Sequence, residues 1–257
     1  MTRYLLALVA IATAYAQLGP APAKPKPARN AKEAAPVDFT GYWVSVVTED
    51  WRWRMVTPAV GDFAGIPLSA EGRKAGNAWD PAKDEAAGEQ CRAYGAPAVM
   101  RIPGRLRITW ADDNTLQIDT DQGTQTRLLH FGGKPTPGAA PTWQGYSVAQ
   151  WETPVRGLGS PQQGLGATRE GNRGRSLEVV TTQIRPGYLR KNGPPYSGNT
   201  VLKEFFDLSV ERNGDPWFVA TTIVEDPQNL SEPFVTSTNF KKQRDAAGYS
   251  PTACSAR

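Results

Sequence analysis

Two kinds of side chain here are placed to do chemistry: guanidiniums interleaved with indoles, and carboxylates set among apolar residues. The stretch EDWRWRM, residues 49–55, alternates Trp51, Trp53 and Met55 with Asp50, Arg52 and Arg54. Read as a continuation of the strand GYWVSVVTE (41–49), it offers two orientations. Either the indoles are buried and the guanidiniums lie in water along the surface, or Arg52 and Arg54 enter an interior, where they need acceptors. Two carboxylates qualify as partners. Glu152 follows Trp151 at the end of a strand, and Glu204, in VLKEFFD, shares the parity of Leu202, Phe206 and Leu208. A carboxylate in that company is buried or faces a lumen, and beside an arginine it can act as a general acid–base. His130, in LLHFGG, is the remaining candidate for proton transfer. A lone histidine on such a strand more often serves hydrogen bonding. No Ser-His-Asp triad is expected, because there is one histidine and no nucleophile elbow.

Cofactors and metals are not expected. With His130 alone, no Cys/His ligand set can be assembled. The Gly-rich loop 153–174 matches neither a phosphate loop nor a dinucleotide fingerprint. The two cysteines, Cys91 and Cys254, read as a disulfide in an oxidising compartment. Closing so long a loop gives an entropic upper figure of about 5 kcal/mol.

Residues 1–16 read as a secretory signal: Arg3, an apolar run over 4–14 too short to span a bilayer, and an A-x-A site at 14–16. Residues 17–36 are rich in Pro, Ala and Lys and read as a disordered tether, with docking of a protein partner as its alternative use. Residues 37–257 read as a single β domain, periplasmic or secreted, with no transmembrane segment. The chain carries 29 basic and 25 acidic residues. Setting aside Arg3, Lys24, Lys26, Arg29, Lys32 and Glu33 leaves 24 of each in the domain, so there is no basic footprint for nucleic acid.

The elements that must position the candidates are strands. Alternating or β-branched runs occupy 41–49, 105–111, 115–120, 124–131, 143–152, 176–184, 201–212, 216–225 and 234–240. DQG, KNGP (191–194) and RNGD (212–215) supply hairpin turns. Residues 69–94 break the pattern with helix-forming composition. Ser69 is a cap and Pro81 divides the segment into two short helices, read as an insertion over one mouth. The expected fold is all-β: an antiparallel up-and-down barrel or half-barrel with a short helical insertion.

DFTGYW (38–43) resembles the Gly-x-Trp opening of lipocalins and related calycin barrels. That resemblance implies a lipocalin- or calycin-like barrel with Trp43 on its floor and Lys241, Lys242 or Arg244 over its ring; the later Thr-Asp-Tyr motif of lipocalins is not found. A longer run of motifs resembles a family of uncharacterised secreted bacterial β-proteins. The motifs are CRAYGAPAVMR (91–101), PTWQGYSVAQWE (141–152), SLEVVTTQI (176–184), GPPYSGNTVLKEFF (193–206) and TTIVEDPQNLSEPF (221–234). This chain departs from that family by inserting 153–174 and by lacking histidine in FGGKPTP and YSGNTVLKE. The function expected is binding of a small apolar or aromatic molecule in the barrel lumen, with an anionic or hydroxylated group held by arginines. Trp51, Trp53, Trp151, Tyr188 and Phe206 would form walls; Arg52, Arg54, Arg127 and Arg190 would hold the polar group. The alternatives are a metal-independent isomerase, lyase or hydrolase using Glu152 or Glu204, and a structural or partner-binding envelope protein.

Overall fold

The computed structural model describes residues 30–152 and 176–256. The signal segment, the tether up to residue 29 and the Gly-rich loop 153–174 lie outside the described residues. The strands are β1 (Gly41–Val46), β2 (Arg105–Asp112), β3 (Thr115–Thr120), β4 (Gln125–Phe131), β5 (Tyr146–Trp151), β6 (Leu177–Thr182), β7 (Gly187–Tyr188), β8 (Pro195–Tyr196), β9 (Val201–Val210), β10 (Pro216–Glu225) and β11 (Phe234–Gln243). Nine of them close a barrel in the order β1-β11-β10-β9-β6-β5-β4-β3-β2, while β7 and β8 form a separate two-stranded hairpin. The all-β barrel expected from the alternation is therefore present, and it is closed rather than a half-barrel.

One pairing departs from the up-and-down pattern. β4 and β5 run parallel, through Leu129↔Ser147, His130↔Val148 and Phe131↔Ala149. An odd ring of strands cannot alternate direction all the way round, so nine strands need one such pair. Residues 132–145 accordingly travel from one end of the barrel to the other instead of making a tight hairpin.

Inward residues follow the two-residue period of each strand. At the end where residues 30–40 lie, the interior fills with rings. Phe218 contacts Phe39, Trp43, Phe206 and Phe240 at centroid distances of 5.2–5.8 Å. Phe39 also stacks on Trp151 at 6.1 Å. Trp43 is fully buried, and Lys242 Nζ stands 5.3 Å from its ring centroid, so the expected cation-over-ring contact forms. Gly41 makes room for it: with φ at +114°, a Cβ there would be strained and 3.2 Å from Lys242 Cε.

Across the middle runs a buried polar layer. Arg127 and Glu204 are both fully buried and pair bidentately, Nη1 to Oε1 at 2.9 Å and Nη2 to Oε2 at 2.5 Å. The Ser147 and Thr181 hydroxyls share a hydrogen bond of 2.8 Å. Beyond this layer, Leu202, Val224 and Phe234 belong to a second apolar cluster with Phe63, Leu189 and Tyr196. That cluster is roofed by a cap built from the segments between β1 and β2 and between β6 and β9.

The cap contains the expected helical insertion. Helix α3 (Ala70–Asn77) is capped by Ser69, whose hydroxyl accepts from Gly72 N. Helix α4 (Pro81–Ala86) starts on Pro81 with Asp80 as its cap. The close of the tether differs from expectation. Residues 31–34 form a helical turn capped by Asn30. Ala31 N donates to Asn114 Oδ1 at 2.9 Å and Lys32 N to Asp113 O at 3.1 Å, so this part is held on the β2–β3 turn. Cys91 and Cys254 form a disulfide that ties the C-terminal tail to the cap.

Candidate cap cleft

EDWRWRM is not a strand. β1 ends at Val46, and Asp50 takes a left-handed conformation, φ +53°. Trp53 N and Arg54 N both donate to Asp50 O, and Met55 N donates to Trp51 O, closing a helical turn, α2 (Trp51–Arg54). The alternation is thus read out with a helical period. Trp51 and Met55 fall on one side and stand exposed; Trp53 and Arg54 turn toward the protein.

Those two residues form one wall of a small open cleft. The second wall comes from the segment after the disulfide, with Ala93, Ala98, Arg101, Ile102 and Pro103. Here a short helix, Ala96–Val99, sits on Gly95, whose carbonyl accepts from Ala98 N and Val99 N at 2.9 Å. Arg101 follows directly. The third wall is the β7–β8 hairpin, with Leu189, Arg190 and Lys191. Leu189 N donates to Pro194 O at 2.8 Å, closing the turn that KNGP marks. Asn192 Nδ2 donates to Ala59 O and Asp62 O at 3.0 and 2.8 Å, fixing the hairpin tip to the cap.

Four cations therefore converge, but they are not equivalent. Arg54 is spent internally: Nη1 pairs with Glu49 at 2.5 Å, Nη2 donates to Ser45 Oγ at 3.1 Å, and Nε donates to Arg101 O at 2.9 Å. Burial pulls its guanidinium below the ordinary value, against the pull of Glu49. Arg101 uses Nη2 on Asp50 at 2.7 Å, while its Nη1 is buried without a partner. Arg190 uses Nη2 on Ala64 O at 2.9 Å, lies 5.9 Å from the Trp53 ring, and also has a buried Nη1 without a partner. Trp53 Nε1 is in the same condition. Burial, and then repulsion from Arg101, bring the Arg190 pKa down to about 10, with Asp62 and Asp50 pulling the other way. Lys191 Nζ lies 5.5 Å from the Tyr94 ring. Three residues that line the cleft, Trp53, Arg101 and Arg190, thus each carry a buried donor without a partner. Such donors call for an acceptor.

Of the sequence candidates, the structure brings Trp53, Arg54 and Arg190 together here. Arg127 and Phe206 lie inside the barrel, fully or almost fully buried, and Trp151 packs against that interior. The interior is occupied by side chains, so the cleft lies in the cap and not in the lumen. Trp51 and Arg52 are exposed. Tyr188 faces Asp84, 3.3 Å from its Oδ1, beneath the Arg92 guanidinium at 4.8 Å; burial pushes its phenol up. Glu152 sits after β5, at the barrel end opposite the cap, with its N–H donating to Ser176 O. Both oxygens of Glu204 are taken by Arg127, and Glu204 pairs with neither Arg52 nor Arg54. His130 stacks on Tyr146 at 4.7 Å, with Nδ1 3.4 Å from Thr115 Oγ1. Asp226 accepts from Ser197 N, Ser197 Oγ, Gln228 N and Asn229 Nδ2, which makes it a turn organiser.

Arg101 and Lys191 are cleft residues that sequence reasoning missed. Their only signals are an arginine closing the apolar run APAVM and a lysine opening a tight turn. Among the described residues, no three His, Cys, Asp or Glu side chains gather to hold a metal ion, and no helix is long and apolar enough to cross a membrane. Comparison with protein-family models, curated proteins and solved structures finds no match to this chain.

Proposed function

We propose that this β-barrel binds a small molecule through an anionic group held in the cap cleft. Arg101, Arg190 and Trp53 would hold the anion, Lys191 would add charge, and Leu189, Ala93, Ala98 and Ile102 would wall the apolar remainder. The observation that carries this reading is the set of three buried, partnerless donors on side chains lining one cleft. An exogenous carboxylate or phosphate oxygen would satisfy them and relieve the repulsion between two guanidiniums. The lowered value of Arg190 supports the same reading. The apolar walls suit the aromatic or apolar ligand body expected from the sequence.

The setting we propose is the periplasm or the outside of the cell, within the family of secreted bacterial β-proteins that the motifs resemble. The Cys91–Cys254 disulfide supports an oxidising compartment. An acid–base enzyme built on Glu204 draws no support from the geometry, since that carboxylate is wholly engaged inside the barrel. The test is calorimetric titration of the purified protein with inorganic phosphate, acetate and longer alkyl carboxylates. Saturable binding that tightens with alkyl length and is lost in Arg190→Gln is expected. Failure of every anion to bind would sink the proposal.

A further inference from the structure

Among the described residues, seven large apolar side chains are exposed, and four of them lie in one ten-residue segment: Trp51 63 %, Met55 61 %, Val56 69 % and Val60 48 %. The other three, Leu128, Val210 and Val235, are scattered over barrel strands. Scattered apolar residues need no explanation, whereas a concentration of them does.

The segment is also the rim of the cleft. Helix α2 presents Trp53 and Arg54 to the cleft and Trp51 and Met55 to solvent. Of the nearby acids, Glu49 is engaged by Arg54 and Asp50 by Arg101, while Asp62 acts on Arg190 without pairing with it. Among the described residues Arg52, Arg190 and Lys191 form no ion pair, so an apolar tip stands beside unpaired cations. A protruding tryptophan with aliphatic neighbours and flanking bases suits the boundary between lipid headgroups and acyl chains. There the rings and aliphatic groups enter and the cations stay with phosphates.

We propose that residues 51–60 dock the barrel on an anionic lipid surface, with the phosphate of one lipid seated in the cap cleft. This rests on the reading of the cleft as an anion site and names the source of the anion. A protein partner would also cover Trp51, but it would leave the cleft donors without an acceptor unless it brought an anion of its own. The lipid surface supplies both halves at once.

The experiment is sedimentation of the full chain with vesicles of phosphatidylcholine alone or mixed with phosphatidylglycerol, alongside calorimetry with inorganic phosphate. Binding to the mixed vesicles is expected to exceed that to the neutral ones by about tenfold or more and to fall with added salt. Met55→Ser/Val56→Ser, which alters only exposed side chains, should lose vesicle binding while still binding phosphate; Arg190→Gln should lose both. Phosphate binding without vesicle binding overturns the docking proposal and leaves the cleft reading standing. Equal sedimentation of Met55→Ser/Val56→Ser and the parent chain also overturns it. So does a dimer in solution that dissociates in that double variant, which would make a second copy the occupant.

Discussion

Two arginine sites in this molecule make opposite use of the same group. Inside the barrel, both terminal nitrogens of Arg127 are met by the two oxygens of Glu204, the pair is fully buried, and only Nε is left without a partner. In the cap, Arg101 and Arg190 line one cleft, each with a terminal nitrogen, Nη1, that no acceptor meets. The first site is closed: removing one partner strands a charge in the interior. The second is unfinished, and removing one arginine takes away a repulsive neighbour. A buried guanidinium is therefore no guide to function by itself. What separates the two is whether the chain supplies acceptors to both terminal nitrogens.

The largest effect should come from breaking the closed site. Glu204→Gln strands the Arg127 charge and should destabilise the fold by about 3–5 kcal/mol, read from urea or thermal unfolding. Replacing both residues with apolar ones of similar size should recover much of that loss; a double variant as unstable as the single would show that the layer is held by more than the pair.

Arg190→Gln should behave differently. Anion affinity should drop at least about tenfold, one lost charge-assisted contact, while stability stays within about 1 kcal/mol of the parent. A stability loss as large as that of Glu204→Gln would erase the distinction between the two sites.

The pH profile sharpens the same contrast. Arg190 has its folded value lowered to about 10, so below that pH the folded state carries a cation it disfavours, and the penalty lifts as pH rises toward the ordinary arginine value of 12.5. Anion affinity should be steady below pH 10 and fall above it, checked by titrations in alkaline buffers.

Tyr196 runs the other way. Burial raises its folded value above the ordinary 10, which favours the neutral phenol, so stability is lost as pH climbs past 10. Its hydroxyl is buried without a partner and sits where a Cβ on Gly95 or Gly187 would clash. Tyr196→Phe should be the smallest change, within about 1 kcal/mol of neutral at pH 7 and more resistant to alkaline unfolding. Thermal melts at both pH values would check it.

The barrel was legible because its strands follow a local rule. Alternation and the turns DQG and RNGD placed β3 and β10 at their observed bounds and put Glu204 on the inner face. Ser69 and Pro81 marked the starts of α3 and α4 for equally local reasons. The cleft was not legible, because its walls lie around residues 53, 101 and 190, and no spacing links them. WRWRM misled for a different reason: a strand period is written there, but Asp50 turns the backbone left-handed and a helical turn reads it. The parallel pair was missed as well. It is dictated by the parity of the ring, which no single segment reveals.

That pair leaves the ring with a seam. β4 and β5 meet over three registered positions, whereas β9 and β10 meet over ten, from Pro216↔Val210 to Glu225↔Val201. No short hairpin clasps the seam, since the chain between its two edges travels the length of the barrel. Amide protons of residues 129–131 and 147–149 should be the first in the wall to trade with solvent, and a strained ring would unzip there.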